Sequence, residues 1–318
     1  MTEDEVRALE ARLGALHVRQ RLGIERDHEA RVTAPGFNPF RPGHWYSIAS
    51  LIGASLRLAG CYGRGRRNAE RVELRRNTLA LANLPPRFDG FTMLHLSDLH
   101  VEISTGAMRH IAGLIASLDY DLCVLTGDYR THTFGPVAET LAGLERLRAH
   151  LVSPVFAVLG NHDSLAMVPG MAAMGIDVLL NEAVPLSRGE ERLYLAGVDD
   201  AHYYRLDNIE KAMAAIPPGA CTILLSHTPE IYRQAAHAGF QAMLSGHTHG
   251  GQICLPGAIP VMRQRRLPRR LAAGAWHHGA MAGYTSVGAG TSIVPIRLNC
   301  PAEITLHRLA RRAADASA

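Results

Sequence analysis

Short apolar runs and helical stripes alternate along most of this chain. Runs of strand length occur at residues 78–82, 91–97, 121–126, 155–159, 178–180, 193–197, 222–226, 241–245, 284–287 and 304–307. Between them, apolar residues at three- and four-residue spacing predict helices over 106–117, 137–149, 166–174, 206–215 and 229–238. Strands alternating with helices predict an α/β domain with substantially parallel strands. In such sheets a ligand site lies outside the carboxyl ends of the strands.

The first 70 residues follow a different pattern. Val6, Leu9, Leu13 and Leu16 predict an amphipathic helix over 2–22. A Pro/Gly loop occupies 34–43. The stretch 44–60 then has Arg57 as its only full charge, with an apolar side of Trp45, Ile48, Leu51, Ile52, Leu56 and Leu58. It runs into Arg64, Arg66, Arg67, Arg71, Arg75 and Arg76. An apolar helix ending in an arginine cluster suits a membrane surface, where the arginines meet anionic lipid. The competing expectation is a helix packed on the domain with a solvated basic face. The expected organisation is an N-terminal helical, membrane-surface segment over 1–70, a catalytic domain over 71–310 and a frayed tail over 311–318.

Five core strand ends carry polar clusters. Asp98-Leu99-His100 follows the run 91–97, and Gly127-Asp128 follows 121–126. Gly160-Asn161-His162-Asp163 follows 155–159, and His227 follows 222–226. Gly246-His247-Thr248-His249-Gly250-Gly251 follows 241–245. Singly, each has a plain explanation. Asp128 or Asn161 could make an Asx turn, and Asp163 could begin the next helix or orient a neighbouring ligand. Together they deliver Asp, Asn and His side chains to one sheet edge, an arrangement that is costly without a cation. The pattern predicts a dinuclear metal site.

Composition narrows the chemistry. The five cysteines are odd in number and scattered, which argues for reduced thiols and a cytoplasmic compartment. Ligation by N and O without thiolate suits Mn, Fe, Zn or Co, with manganese the first expectation. Two such ions about 3.5–4 Å apart serve in-line displacement at phosphorus. The charged N-terminus has no signal-peptide core, and no apolar run reaches the ~18 residues of a spanning helix. Residues 1–76 hold 14 arginines against 9 acidic residues, whereas the remainder holds 19 basic against 20 acidic. The near-neutral remainder lacks a basic-aromatic track for a nucleic-acid strand.

These residues carry a resemblance. The order Asp-x-His, Gly-Asp, Gly-Asn-His-Asp, His, Gly-His-Thr-His resembles the calcineurin-like metallophosphoesterase superfamily from about Val72 to Leu309. Leu96-Ser97-Asp98-Leu99-His100, Gly197-Val198-Asp199-Asp200, Leu225-Ser226-His227-Thr228-Pro229-Glu230 and Pro295-Ile296-Arg297 are similar to a bacterial membrane-associated branch. That branch includes enzymes similar to UDP-2,3-diacylglucosamine hydrolases of lipid A synthesis. The resemblance implies a four-layer α/β/β/α sandwich of two mixed sheets. It implies that Asp98, His100 and His249 hold one metal, that Asn161, His227 and His247 hold the second, and that Asp128 bridges them. His162 would stand near the leaving group, and a metal-bridging hydroxide would attack phosphorus. The first 60 residues have no counterpart in it.

The leading expectation is therefore a two-metal phosphoesterase cleaving a phosphodiester or pyrophosphate on a lipid-linked substrate such as UDP-2,3-diacylglucosamine. It would sit at the inner face of the cytoplasmic membrane, without nucleic-acid or protein partners. The alternative is a soluble phosphodiesterase for cyclic nucleotides or other small diesters. A non-catalytic scaffold should lack one of the site residues, and none is missing. Arg263, Arg265 and Arg266, in the basic stretch after Ile253, are candidates for a substrate-phosphate clamp. Residues 272–278 are the expected flap, with His277 and His278 at the surface.

Overall fold

The structure is a computed structural model that describes residues 1–33, 45–152, 154–262 and 267–312. Arg263, Arg265 and Arg266 lie outside the described residues, as do the loop over 34–43 and the end of the tail. Two mixed six-stranded sheets face each other. The first has the order β1 (Glu73–Leu81), β14 (Glu303–Arg311), β2 (Thr92–Leu96), β3 (Leu122–Thr126), β4 (Val155–Val158) and β5 (Asp177–Val178). The second runs β12 (Gly274–His278), β13 (Met281–Thr285), β9 (Ala242–Ser245), β8 (Thr222–Leu225), β7 (Glu191–Gly197) and β6 (Glu182–Arg188). A small hairpin, β10 (Cys254–Leu255) with β11 (Ile259–Pro260), stands apart from both. The central pairs β2–β3–β4 and β7–β8–β9 are parallel, as the alternation predicts.

Alternating side chains build the layers. Met93, Leu122, Val124, Phe156 and Val158 point between the sheets and meet Leu193, Leu195, Ile223, Leu225 and Leu244. Leu94, Leu96, Cys123, Leu125 and Ala157 point the other way. They pack on α5 (Thr105–Ile115), α6 (Ala138–Arg148) and α7 (Val168–Ala173). Behind the second sheet, Ala196, Leu224 and Met243 pack on α8 (Ile209–Met213) and α9 (Tyr232–Ala238). The result is the expected helix–sheet–sheet–helix sandwich.

The N-terminal region departs from expectation. The helix predicted over 2–22 is two helices, α1 (Glu3–Leu13) and α2 (Ala15–Thr33), broken at Gly14, whose φ is 89°. A capping box between Thr2 and Glu5 starts the first. Leu9, Leu13 and Val18 lie in the same core as Leu94, Leu96 and Ile111, so the boundary expected at residue 70 is not a break in the core. Val6, Leu9 and Leu13 of the predicted stripe pack on the domain, whereas Leu16, just past the break, is 72% exposed. Farther along, α3 (Trp45–Leu58) and α4 (Tyr62–Glu70) lie against another part of it. Ala49, Ile52 and Leu56 pack on Val294, Ile296 and Leu298, while Leu51 and Leu58 stay 68% and 91% exposed.

Three further differences have plain causes. The expected flap over 272–278 is largely the edge strand β12, because Trp276 buries itself against the second sheet's helices and donates to the Thr285 hydroxyl. The expected fraying does not begin at residue 311, since Arg311 donates its backbone N–H to Asp89 and Arg312 donates to the Leu81 carbonyl. Strand β6 escaped the sequence reading because Pro185 and its charged neighbours mask it. Such residues are tolerated on an edge strand.

Candidate metal centre

The carboxyl ends of β2, β3 and β4 meet those of β8 and β9 at one edge of the sandwich. His227 ties the two sheets together, donating from Nδ1 to the Thr126 carbonyl at 2.7 Å. Beyond these ends two triads form among the described residues. Asp98, His100 and His249 bring one ligand atom each within 4.8 Å of one another, and Asp128, His227 and His247 do the same. In the first, His249 Nε2 lies 3.3 Å from both His100 Nε2 and Asp98 Oδ1. In the second, His227 Nε2 lies 3.1 Å from His247 Nδ1 and 3.3 Å from Asp128 Oδ2. The Asn161 amide oxygen, 3.1 Å from His227 Nε2, joins this second group.

Five of these six triad residues have left-handed backbones: Asp98, His100, Asp128, His247 and His249 have φ of 51°, 41°, 55°, 71° and 49°. Each such conformation costs of order 1–3 kcal/mol and persists only where the surroundings enforce it. Ordinary turns or caps do not concentrate five strained Asp and His residues at one point. The close approach is visible at Gly246, where a Cβ would stand 1.8 Å from Ser97 Oγ and 2.3 Å from Asp98 Oδ2.

Hydrogen bonds to the outer atoms leave the inner atoms available. His100 Nδ1 donates to the Arg130 carbonyl at 2.6 Å, as His227 does to Thr126, so the Nε2 atoms point inward. Ser97 donates to Asp98 Oδ2 at 2.6 Å. Burial holds His100 down at about 4, and burial together with neighbouring imidazoles keeps His247 and His249 well below the usual histidine range. These three rings stay neutral, the form that ligates a cation. Burial pushes Asp98 up to about 6, with the Asp128 charge adding to the rise. Burial would lower His227, but the Asp128 carboxylate outweighs it and lifts His227 to about 10. Without a cation, that proton compensates the buried carboxylate. The donor set, its orientation and its burial fit two divalent ions.

His162 stands beside the triads and outside both. Its backbone N–H donates to Asp128 Oδ1 at 2.9 Å, and its Nδ1 meets the Thr133 hydroxyl at 3.0 Å. Its ring lies edge-on to His100 at 5.5 Å.

Several further residues support the ligands. Asp163 does not serve as a helix cap. Its carboxylate accepts from the backbone N–H groups of Asp128, Tyr129, Arg130 and Gly160 and clamps two loops together. Arg297, fully buried, donates to the carbonyls of Val287, Gly288 and Gly290 behind His249. Its advance signal was its place in Pro295-Ile296-Arg297, one of the segments that carry the resemblance. His202 lies against the His247 ring at 4.4 Å and pairs with Glu230. His277 is exposed, as expected, and His278 is half-buried against Tyr232.

An α/β sandwich whose strand ends converge on two Asp/His clusters defines a metal-dependent phosphoric-ester hydrolase. The chain belongs to the calcineurin-like phosphoesterase family, which residues 91–251 match. It is 28% identical over 256 residues to the uncharacterized metallophosphoesterase YkoQ of Bacillus subtilis, spanning 76% of this chain and 92% of that one. An uncharacterized metallophosphoesterase of Aquifex aeolicus is 31% identical over 276 residues, or 81% of this chain and 96% of that one. The phosphodiesterase YaeI of Escherichia coli is 27% identical over 235 residues, 69% and 82% of the two chains.

Proposed function

We propose that this protein is a two-metal phosphodiesterase whose substrate carries a lipid. The observation that carries the phosphodiesterase reading is the pair of adjacent triads with His162 next to them but in neither. Asp98, His100 and His249 would hold one ion. Asn161, His227 and His247 would hold the other, with Asp128 shared between them. The Asp128 charge acts on His100 and His249 of the first group as well as on its own, which supports the shared role. Bound divalent ions, manganese in this reading, would neutralise phosphoryl oxygens and supply a nucleophilic water near neutral pH. His162, its Nδ1 fixed by Thr133, delivers a proton from Nε2 to the departing oxygen.

The lipid reading rests on α3. Leu51 and Leu58 face solvent beside exposed Arg57, Arg64, Arg66 and Arg67. That combination suits an anionic lipid surface. No helix among the described residues is long and apolar enough to cross a membrane, so the contact proposed is peripheral, at the inner face of the cytoplasmic membrane. UDP-2,3-diacylglucosamine, with a pyrophosphate next to acyl chains, is the preferred substrate.

A second reading is a soluble phosphodiesterase for small diesters. The packing of Ile52 and Leu56 on Ile296 and Leu298 favours it, since that face of α3 is already covered. The test is an assay of the manganese-loaded protein on bis-p-nitrophenyl phosphate and on UDP-2,3-diacylglucosamine. UMP release from the lipid, abolished in His162→Ala, is the expected result. Turnover of the generic diester alone would overturn the lipid assignment.

A further inference from the structure

The histidines of the two triads are not equally enclosed. His100, His227 and His249 are buried, whereas His247 is half-buried. His247 also faces its triad through Nδ1, while the other three use Nε2. Two rings touch it. The His227 ring lies 4.9 Å away at 76°, and the His202 ring lies 4.4 Å away at 49°. His227 belongs to the triad. His202 does not.

His202 is held in place from two directions. It belongs to the loop after β7. There the buried Asp200 carboxylate accepts from the backbone N–H groups of His202 at 3.2 Å, Tyr203 at 2.6 Å and Tyr204 at 2.7 Å. The His202 Nδ1 then meets Glu230 Oε2 at 3.1 Å. Glu230 sits in the short turn Pro229–Ile231 just past His227, and its backbone N–H donates to the Thr228 hydroxyl at 3.3 Å. The His202 side chain is 37% exposed, so core burial does not fix it. A histidine at such exposure ordinarily keeps its rotamer freedom. Here a carboxylate on one nitrogen and a ligand ring on one face remove it. The loops after β7, β8 and β9 meet in this one contact.

We propose that His202, anchored by Glu230, is a positioning residue for His247 and sets how tightly the ion of the second triad is held. The proposal rests on the two-metal reading of the triads. His202 acts through the His247 ring, since the group of ligand atoms within 4.8 Å of one another comprises Asp128, His227 and His247 without it. A ligand ring free to swing loses the direction of its lone pair. Groups that orient ligands are worth about 10–100-fold in metal affinity. The ring contact of His202 is with His247 and not with His100 or His249, so the effect falls on one ion of the two.

The experiment measures metal binding, so it does not depend on turnover. Manganese is titrated calorimetrically into the chelator-treated full chain and into His202→Ala, His202→Phe and Glu230→Gln. Thermal unfolding of each metal-free protein is recorded beside it. In His202→Ala one ion should bind about tenfold or more weakly and the other as in the parent, with the metal-free Tm unchanged. His202→Phe keeps a ring on His247 and should recover most of that loss. Glu230→Gln should fall between the parent and the alanine variant, and it covers the case in which that variant misfolds. Affinities unchanged in both His202→Ala and Glu230→Gln overturn the proposal. Equal weakening of both ions with a lowered Tm also overturns it, because that is general loosening. So does loss of an ion that His202→Phe fails to recover, which would make His202 a ligand. Failure of the triad reading would appear separately, as a parent protein that does not bind a pair of manganese ions.

Discussion

Arg21, fully buried on α2, donates its Nη2–H to the backbone carbonyl of Asp163 at 2.8 Å, across 142 residues of sequence. The same guanidinium lies 3.5 Å from Asp199 Oδ1 and 3.0 Å from Glu25, and it stacks over the Tyr204 ring at 3.4 Å. Glu25 in turn accepts from the Ser164 hydroxyl and the Leu165 N–H at 2.7 and 2.9 Å. Helix α2 is thus pinned to the loop that presents Asn161 and His162.

Removing that guanidinium leaves the buried Asp199 with His17 and the Asp200 N–H but no permanent cation beside it among the described residues. Arg21→Met should destabilise the protein by about 3–5 kcal/mol, the usual consequence of orphaning a buried charge. Arg21→Met combined with Asp199→Leu should recover most of that loss. Urea unfolding of both variants measures it, and equal losses in the single and double variants would contradict the assignment.

The Asp163 carboxylate accepts four backbone N–H groups around Asp128 and Gly160. Asp163→Asn keeps the shape but turns an amide NH2 toward donors. The Asp128 loop should loosen, and metal affinity should fall about 10–100-fold, as for other groups that orient ligands. Calorimetric titration of manganese into chelator-treated protein reads this directly. Unchanged affinity would reduce Asp163 to a structural residue.

His162→Ala should lower kcat by about 10²–10⁴-fold, the range for loss of a proton donor. It should retain both metals, because His162 belongs to neither triad. Elemental analysis alongside the bis-p-nitrophenyl phosphate rate tests the two halves together. A variant that loses one ion per chain would move His162 into the ligand set.

Between the sheets, His95 and His307 lie 3.3 Å apart, and His95 also meets the Thr126 hydroxyl at 2.8 Å. Burial holds His95 at about 3 and His307 well below the usual histidine range. On acidification the unfolded chain takes up these protons first. Stability from the pair is complete above about pH 6.5 and is lost as pH falls toward 3, at up to about 1.4 kcal/mol per pH unit for each ring. Guanidinium unfolding of the metal-loaded protein between pH 7.5 and 5 should show this slope. It should be shallower in His95→Gln, and an identical slope would rule the pair out as its source.

The sequence by itself determined the strands that build both sheets' centres and the residues at their ends. The short apolar runs of β2, β3 and β8, and the placement of Asp98, Asp128, Asn161, His227 and His247 just past such runs, are local patterns. Local patterns can be read in one dimension. The tertiary structure decided which of these residues meet. Asp98 and His100 come from the first sheet and His249 from the second, and only the facing of the sheets joins them into one triad. It also decided the fate of α1 and α2. Their amphipathic pattern says that one side is covered, but not by what. Nothing local marks Arg21, His17 and Glu25 for burial; Asp199 and Ser164 arrive from distant loops to satisfy them. Burying such groups is favourable only when their partners are in place, and the partners are set by packing over long sequence separation.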